Sequence, residues 1–352
     1  MRVSANQVTV ARLVGMPFVG CTLYGSLRTQ IVGVILGTLI GLTDFVDGYL
    51  ARKHGPTVLG SLLDPVADKI FIVVCYGCFV SRGGIPWWIA AAIFSRELLV
   101  TVLRSSLELG GRRLPSSGVA KAKTWIQMLG FAFLVLIPMV GSSGVRFLFA
   151  VPFGFAVLIV LIGRVFARRR WRGFEIAAAM LVPFFAVSFV GPTATQVLVV
   201  ATVVFITWVS AIDYLAVGLR YLRGVVPRRG LHWLRLGAGG LLPIVALAAL
   251  ATGRIPTVTI IVLLASVMAR GALDNFAAHR GVADFSWAAS LWAEVALVVA
   301  ALALPGLASG LALAAALIGV VDTLRSLGKY LRAPDALATG EPSGVSSVRG
   351  TH

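Results

Sequence analysis

Four aspartates fall between residues 44 and 68, in the stretch DFVDGYLARKHGPTVLGSLLDPVADK. Asp44 and Asp47 are three apart, so on a helix they share a face, which Gly48 and Ala51 extend with small side chains. Asp64 and Asp68 are four apart, one turn of a second helix, with Gly60 a turn before them. A short connection makes the two helices antiparallel neighbours, so the two acidic pairs can face each other. Converging carboxylates suit a hard divalent cation such as Mg²⁺ or Mn²⁺, and four of them suit two ions bridging a diphosphate. Gly48, Ala51 and Gly60 leave room for a bulky ligand near the backbone, and Arg52 adds a cationic donor for phosphate.

The elements that must carry these residues are membrane helices. Of 352 residues, 58% are hydrophobic and 13% charged, about half the charge of an ordinary soluble domain. Apolar runs long enough to cross a bilayer recur at about 8–24, 31–50, 60–80, 86–106, 121–140, 147–164, 173–190 and 194–218. Four more follow at about 235–251, 256–273, 286–304 and 308–324. The fold class is thus all-α and polytopic, with about twelve spans, because backbone polar groups in lipid must be paired within each segment. No small-residue cleavage site follows the first run, so it reads as a retained span. The tail from 333 to 352 is rich in Gly, Ser and Pro and reads as disordered. Cys21, Cys75 and Cys78 lie in apolar runs and read as packing residues.

Lys and Arg total 31 against 14 Asp and Glu, a formal charge of +17. With a cytoplasmic N-terminus, the outer loops hold only Arg28, Arg82, Arg146 and Arg254. The dense basic runs, such as Arg168 to Arg170 and Arg228/Arg229, all fall inside. The excess therefore expresses topology and attraction to anionic headgroups, and nucleic acid binding is not needed to explain it. Both termini and the aspartates are placed in or at the cytoplasm.

Four carboxylates at membrane depth would each cost roughly 2.5 to 3.5 kcal/mol if unpaired. Pairing in the headgroup region with Arg52, Lys53 and Lys69 is the bland account, but it does not explain two matched pairs separated by Gly and Arg. The stretch resembles the signature of the CDP-alcohol phosphotransferases, D-x2-D-G-x2-A-R-x8-G-x3-D-x3-D. Asp44, Asp47, Gly48, Ala51, Arg52, Gly60, Asp64 and Asp68 fill it. One residue fewer separates Arg52 from Gly60, a change that falls in the loop between helices. The resemblance implies two Mg²⁺ or Mn²⁺ ions on Asp44, Asp47, Asp64 and Asp68, with Asp68 as general base. It also implies a CDP-linked lipid donor contacted by Gly48, Ala51, Arg52 and Gly60, and release of CMP.

Further matches concern the acceptor. Asn6, Thr9, Arg12 and Pro17 are similar to the N-x2-T-x2-R start of one subgroup, the phosphatidylglycerophosphate synthases. Arg96-Glu97 with Arg104, then Ser117, Lys121, Lys123, Thr124 and Gln127, and finally Thr207, Ser210, Asp213 and Tyr214 resemble its later motifs. Arg96, Arg104, Lys121 and Lys123 form a cationic set suited to an acceptor that bears a phosphate. Glycerol 3-phosphate fits; an inositol phosphate or phosphatidylglycerol stays open. Localisation in a bacterial inner membrane follows from the resemblance. A secondary transporter is the competing class, but its site would lie at the midplane.

The resemblance covers about residues 5 to 225 of a catalytic domain at 1–227, with a two-span insertion near 145–190. Residues 231–332 add four spans. Arg235, Asp274, Ala278 and Glu294 echo Arg12, Asp47, Ala51 and Asp68, so this part reads either as a degenerate partial repeat or as unrelated helices. Gly271, His279 and Ser290 stand where Asp44, Arg52 and Asp64 would be, so it could not hold two metals. It is expected to carry no catalysis and to pack against the enzyme where family members dimerise; a homodimer stays open as a partner. A reporter fused after residue 228 should report the cytoplasm and one at residues 82–86 the opposite side; the reverse pattern would overturn the orientation.

Overall fold

The computed structural model describes residues 5–54, 58–112, 118–165, 172–224, 229–280 and 287–332. The tail expected to be disordered lies outside them. Among the described residues the regular structure is entirely helical. The helices are α1 (Ala5–Thr22), α2 (Leu27–His54), α3 (Val58–Ser81), α4 (Trp87–Leu109), α5 (Gly118–Val165) and α6 (Arg172–Ser188). They continue with α7 (Pro192–Val209), α8 (Ile212–Arg223), α9 (Arg229–Ala251), α10 (Thr257–His279), α11 (Ala288–Ala303) and α12 (Ala308–Arg332).

Two expected boundaries look different at atomic detail. The runs at 121–140 and 147–164 belong to one helical stretch, α5, broken at Gly141, whose φ of 63° and ψ of −177° lie outside the helical region. Only glycine takes this conformation without steric cost. The run at 194–218 is interrupted at Ser210 and Ala211, between α7 and α8.

Among the described residues, five stretches are long and apolar enough to cross a bilayer: Ile126–Arg164, Pro192–Arg223, Gly230–Ala251, Thr257–His279 and Pro305–Tyr330. Shorter apolar helices cover Leu27–Thr43, Gly173–Ser188 and Ala288–Ala303. Large apolar side chains such as Phe18, Ile35, Phe147, Val151, Phe205 and Leu317 point outward. Exposed apolar surface on this scale is what lipid contact requires, and the chain is an integral membrane protein of helical bundle type. Cys75 and Cys78 are buried in the core, and Cys21 is exposed.

Side-chain bonds show which helix ends lie together. Thr9 and Arg12 of α1 meet Asp64 and Asp68 of α3, and Lys69 meets Thr101 of α4. Ser106 of α4 meets His232 of α9, and Glu108 meets His279 of α10. At the far end Tyr24 meets Ser81, Arg82 donates to the Leu23 carbonyl, and Ser309 donates to that of Arg254. The acids and Arg104 thus share one end of the bundle, and Arg82 and Arg254 the other.

Helices α9 to α12 pack on one another, while α9 lies on α4, and α10 on α3 and α4. The two parts are joined by bonds from Ser95 to the Gly240 carbonyl (2.8 Å) and from Arg235 to Ser105 (3.1 Å). Charges inside the second part are paired with one another. Arg235 meets Asp274 at 3.2 Å, and Arg270 meets Glu294 at 2.5 Å and Asp322 at 3.4 Å. The Trp287 ring lies 5.1 Å from the Arg235 guanidinium and 5.3 Å from that of Arg270. Glu294→Ala leaves the buried Arg270 only its longer contact to Asp322, so it should destabilise the protein, by up to about 3–5 kcal/mol. Thermal melting in detergent checks this; an unchanged midpoint would remove the network from the stability account.

Candidate active site

The best-defined part of the site is the first half of α3. Asp64 and Asp68 stand one turn apart and are partly exposed, their side chains 44% and 39% accessible. They face α1, where Thr9 donates to Asp64 at 2.9 Å. Arg12, almost wholly buried, reaches both acids, with Nη1 at 3.4 Å from Asp68 and Nη2 at 3.7 Å from Asp64. A planar guanidinium carries five donors in a fixed fork, so one arginine can bridge two carboxylates where lysine would supply only a point charge. The acids are therefore fixed in direction before any ligand arrives, and their outer sides stay accessible. Gly60 lies buried a turn before Asp64.

Asp44, Asp47, Gly48, Ala51 and Arg52 all fall on α2, in its last three turns. Their side chains lie outside the described residues, as do those of Lys121 and Lys123 near the start of α5. Among the described residues no group of three or more His, Cys, Asp or Glu converges; Asp44 and Asp47 are not among the side chains compared.

On the neighbouring face of α3, Pro65 and Lys69 border a cavity of about 430 Å³ shared with α4, α8 and α10. Arg96, Glu97, Thr101, Arg104 and Glu108 line it from α4, and Tyr214 from α8. Arg96 is buried, and three donors are committed: Nε to the Thr207 carbonyl (2.8 Å), Nη2 to Ser210 (2.7 Å) and Nη1 to Glu97 (3.1 Å). Gln127 of α5 joins this set through Glu97 (3.3 Å) and Thr207 (3.1 Å). Arg96 thus ties α4 to the break between α7 and α8, which accounts for Thr207, Ser210 and Gln127 in the sequence pattern. Arg104 differs: its side chain is 45% exposed and held by Glu108 at 3.0 Å.

A second, apolar groove runs between α1, α2, α3 and α5. Gly33, Gly37 and Gly41, four residues apart, form its floor on α2, and Val19, Phe71, Met128 and Phe131 border it. It reaches Gly41 and Leu42, within a turn of Asp44.

Comparison with known proteins bears on the chemistry. The CDP-alcohol phosphatidyltransferase family profile matches residues 2–160. A Rickettsia bellii protein named CDP-diacylglycerol--glycerol-3-phosphate 3-phosphatidyltransferase is 36% identical over 141 residues, 40% of this chain and 76% of the relative. Proteins of the same name from Bacillus subtilis and Salmonella choleraesuis are each 32% identical, covering 37% of this chain and 75% of their own length. No solved structure matches. The chain belongs to the CDP-alcohol phosphatidyltransferase family. It is accordingly a transferase of phospholipid synthesis in the membrane, from a family that generally depends on a divalent metal.

The family profile ends at residue 160, so α6 to α12 lie beyond it. Within the family's own motifs, the structure adds two residues that the sequence reading left without a role. Arg12 and Thr9 stand out in the sequence only as part of a terminal pattern, and their contact with acids more than 50 positions away is a property of the fold. Lys69, which in sequence reads only as a headgroup-region partner for the acids, lines the cavity and bonds Thr101. The donor set fits a hard divalent ion, since Asp64 and Asp68 present accessible carboxylate oxygens and α2 supplies two more carboxylates. Arg12→Ala should lower turnover about 100-fold through misplaced acids, with Arg12→Lys intermediate. Transferase assays on variants with matched melting curves check this; wild-type turnover in Arg12→Ala would sink the positioning role.

Proposed function

We propose that this protein transfers the phosphatidyl group of CDP-diacylglycerol to glycerol 3-phosphate, giving phosphatidylglycerophosphate and CMP at the cytoplasmic face of the membrane. The observation that carries the acceptor reading is the cavity beside the Asp64–Asp68 turn, where Lys69 and Arg104 offer cations to a phosphorylated alcohol. The names of the bacterial relatives support the same acceptor.

The lipid donor enters from the bilayer. The apolar groove floored by Gly33, Gly37 and Gly41 suits an acyl chain and delivers the head group to the end of α2. There Gly48 and Ala51 leave space for the nucleotide, Gly60 does the same from α3, and Arg52 donates hydrogen bonds to the diphosphate. Asp44, Asp47, Asp64 and Asp68 would hold two Mg²⁺ or Mn²⁺ ions, whose charge offsets that of the donor's diphosphate. Arg12 and Thr9 keep Asp64 and Asp68 directed at this point.

Arg104 and Lys69 bind the acceptor phosphate from the described side of the pocket, with Lys121 and Lys123 assigned to the same task from α5. Arg96 acts on this phosphate mainly by holding α4 in register, since most of its donors are engaged. Asp68 takes the proton from the acceptor hydroxyl as its oxygen attacks the β-phosphorus. One P–O bond forms, the P–O bond to CMP breaks, and the electron pair leaves with CMP.

An acceptor panel tests this reading. Purified protein with CDP-diacylglycerol and Mg²⁺ or Mn²⁺ should release CMP with glycerol 3-phosphate and not without an acceptor. No release with any alcohol would refute the reading; release with inositol phosphate or phosphatidylglycerol alone would refute the acceptor. Asp68→Asn should abolish turnover in a protein that still melts cooperatively, and an active variant would remove Asp68 as the base.

A further inference from the structure

The cavity proposed for the acceptor is not closed by the catalytic helices alone. Its remaining wall is α10, which contributes Ala272, Asn275, Phe276 and His279. Their spacing of three, one and three places all four on one face of the helix. That face is held against the cavity because α10 packs on both α3 and α4. The segment lies beyond the residues that match the family profile.

The chemistry of this wall is specific. Asn275 Oδ1 and Glu108 Oε2 are buried oxygens that no hydrogen-bond donor among the described residues reaches. Leaving a buried acceptor without a donor is costly, so these two oxygens call for a hydrogen-bond partner. Glu108 Oε1 is taken by Arg104 at 3.0 Å, and His279 Nδ1 stands 3.8 Å from Oε2, outside hydrogen-bond range. His279 is half exposed. The wall therefore combines two oxygens in need of O–H donors with an imidazole and the Arg104 guanidinium. A small phosphorylated polyol matches this set, with a hydroxyl for a buried oxygen and its phosphate for the Arg104 guanidinium and the imidazole N–H.

We infer that the C-terminal helices take part in acceptor recognition, with Asn275 accepting from the acceptor's non-reacting hydroxyl and His279 joining Arg104, held by Glu108, at its phosphate. This inference rests on the acceptor reading of the same cavity. It gives the four added helices a place in the reaction although they carry none of the proposed metal-binding acids. It also makes the pocket of this chain different from that of a relative lacking α10, in which this side would be bounded by something else.

The test uses the full chain in detergent or nanodiscs. Asn275→Ala and His279→Ala should each raise KM for glycerol 3-phosphate about tenfold, with a much smaller change in KM for CDP-diacylglycerol. Asn275→Asp, which keeps an acceptor oxygen, should fall between Ala and wild type. Equal losses toward donor and acceptor, or an unchanged acceptor KM, would overturn the inference. Should Asn275→Ala fail to fold, His279→Ala, at an exposed position, decides the matter by the same comparison. If wild type uses another phosphorylated alcohol, the glycerol 3-phosphate reading fails while the wall is upheld by a raised KM for that alcohol. If wild type transfers to none, calorimetric titration with glycerol 3-phosphate decides. Heat in wild type that is lost in both variants upholds the wall; no heat, or equal heat in all three, refutes it.

Discussion

Charge in a low-dielectric slab must find a partner, and the whole chain is arranged around that constraint. Arg12 illustrates it best: a guanidinium almost fully buried in α1 reaches across to two carboxylates on α3. An isolated charge at such a depth costs several kcal/mol, so α1 and α3 are fixed in rotation as well as in contact. The pairing also leaves Asp64 and Asp68 partly accessible, which an active site needs and a purely structural ion pair does not. Arg96 does similar work one layer away, where Glu97 and, at the break between α7 and α8, Thr207 and Ser210 hold it.

The two parts of the chain meet this constraint in opposite ways. In the C-terminal part, Arg235, Arg270, Asp274, Glu294 and Asp322 pair among themselves around Trp287. That network has the economy of a structural core. The described acids of α3 are different, since Asp64 and Asp68 share the buried Arg12 and keep partly accessible side chains. Sequence similarity alone relates Arg235 to Arg12 and Asp274 to Asp47. Their partners differ, because Arg12 pairs with acids of α3 whereas Arg235 pairs with Asp274 of α10.

Much of this was legible in the residues. The apolar runs located the helices because length and hydropathy are local quantities, and Asp44 to Asp68 announced chemistry because acids are costly in lipid. What stayed hidden was non-local or conformational. The Arg12 fork depends on how α1 rotates against α3. Arg96 reads in sequence as a phosphate ligand, but its donors are taken by a helix break that hydropathy does not register, since Ser210 and Ala211 sit in an otherwise continuous run. Gly141 looks like one more glycine between apolar segments until its positive φ shows the break in α5. Asn275 and His279 carried no signal as cavity residues because their role depends on α10 docking on α3 and α4.

The central claim is that α2 and α3 together form one divalent-cation site while the acids of the C-terminal part are structural. Electron paramagnetic resonance of Mn²⁺ titrated into the purified chain tests it without relying on turnover. About two bound ions per chain are expected, lost on Asp44→Asn and on Asp64→Asn, and retained in Asp274→Asn. Binding that survives both α2 and α3 variants, or that disappears with Asp274→Asn in a folded protein, would contradict the account.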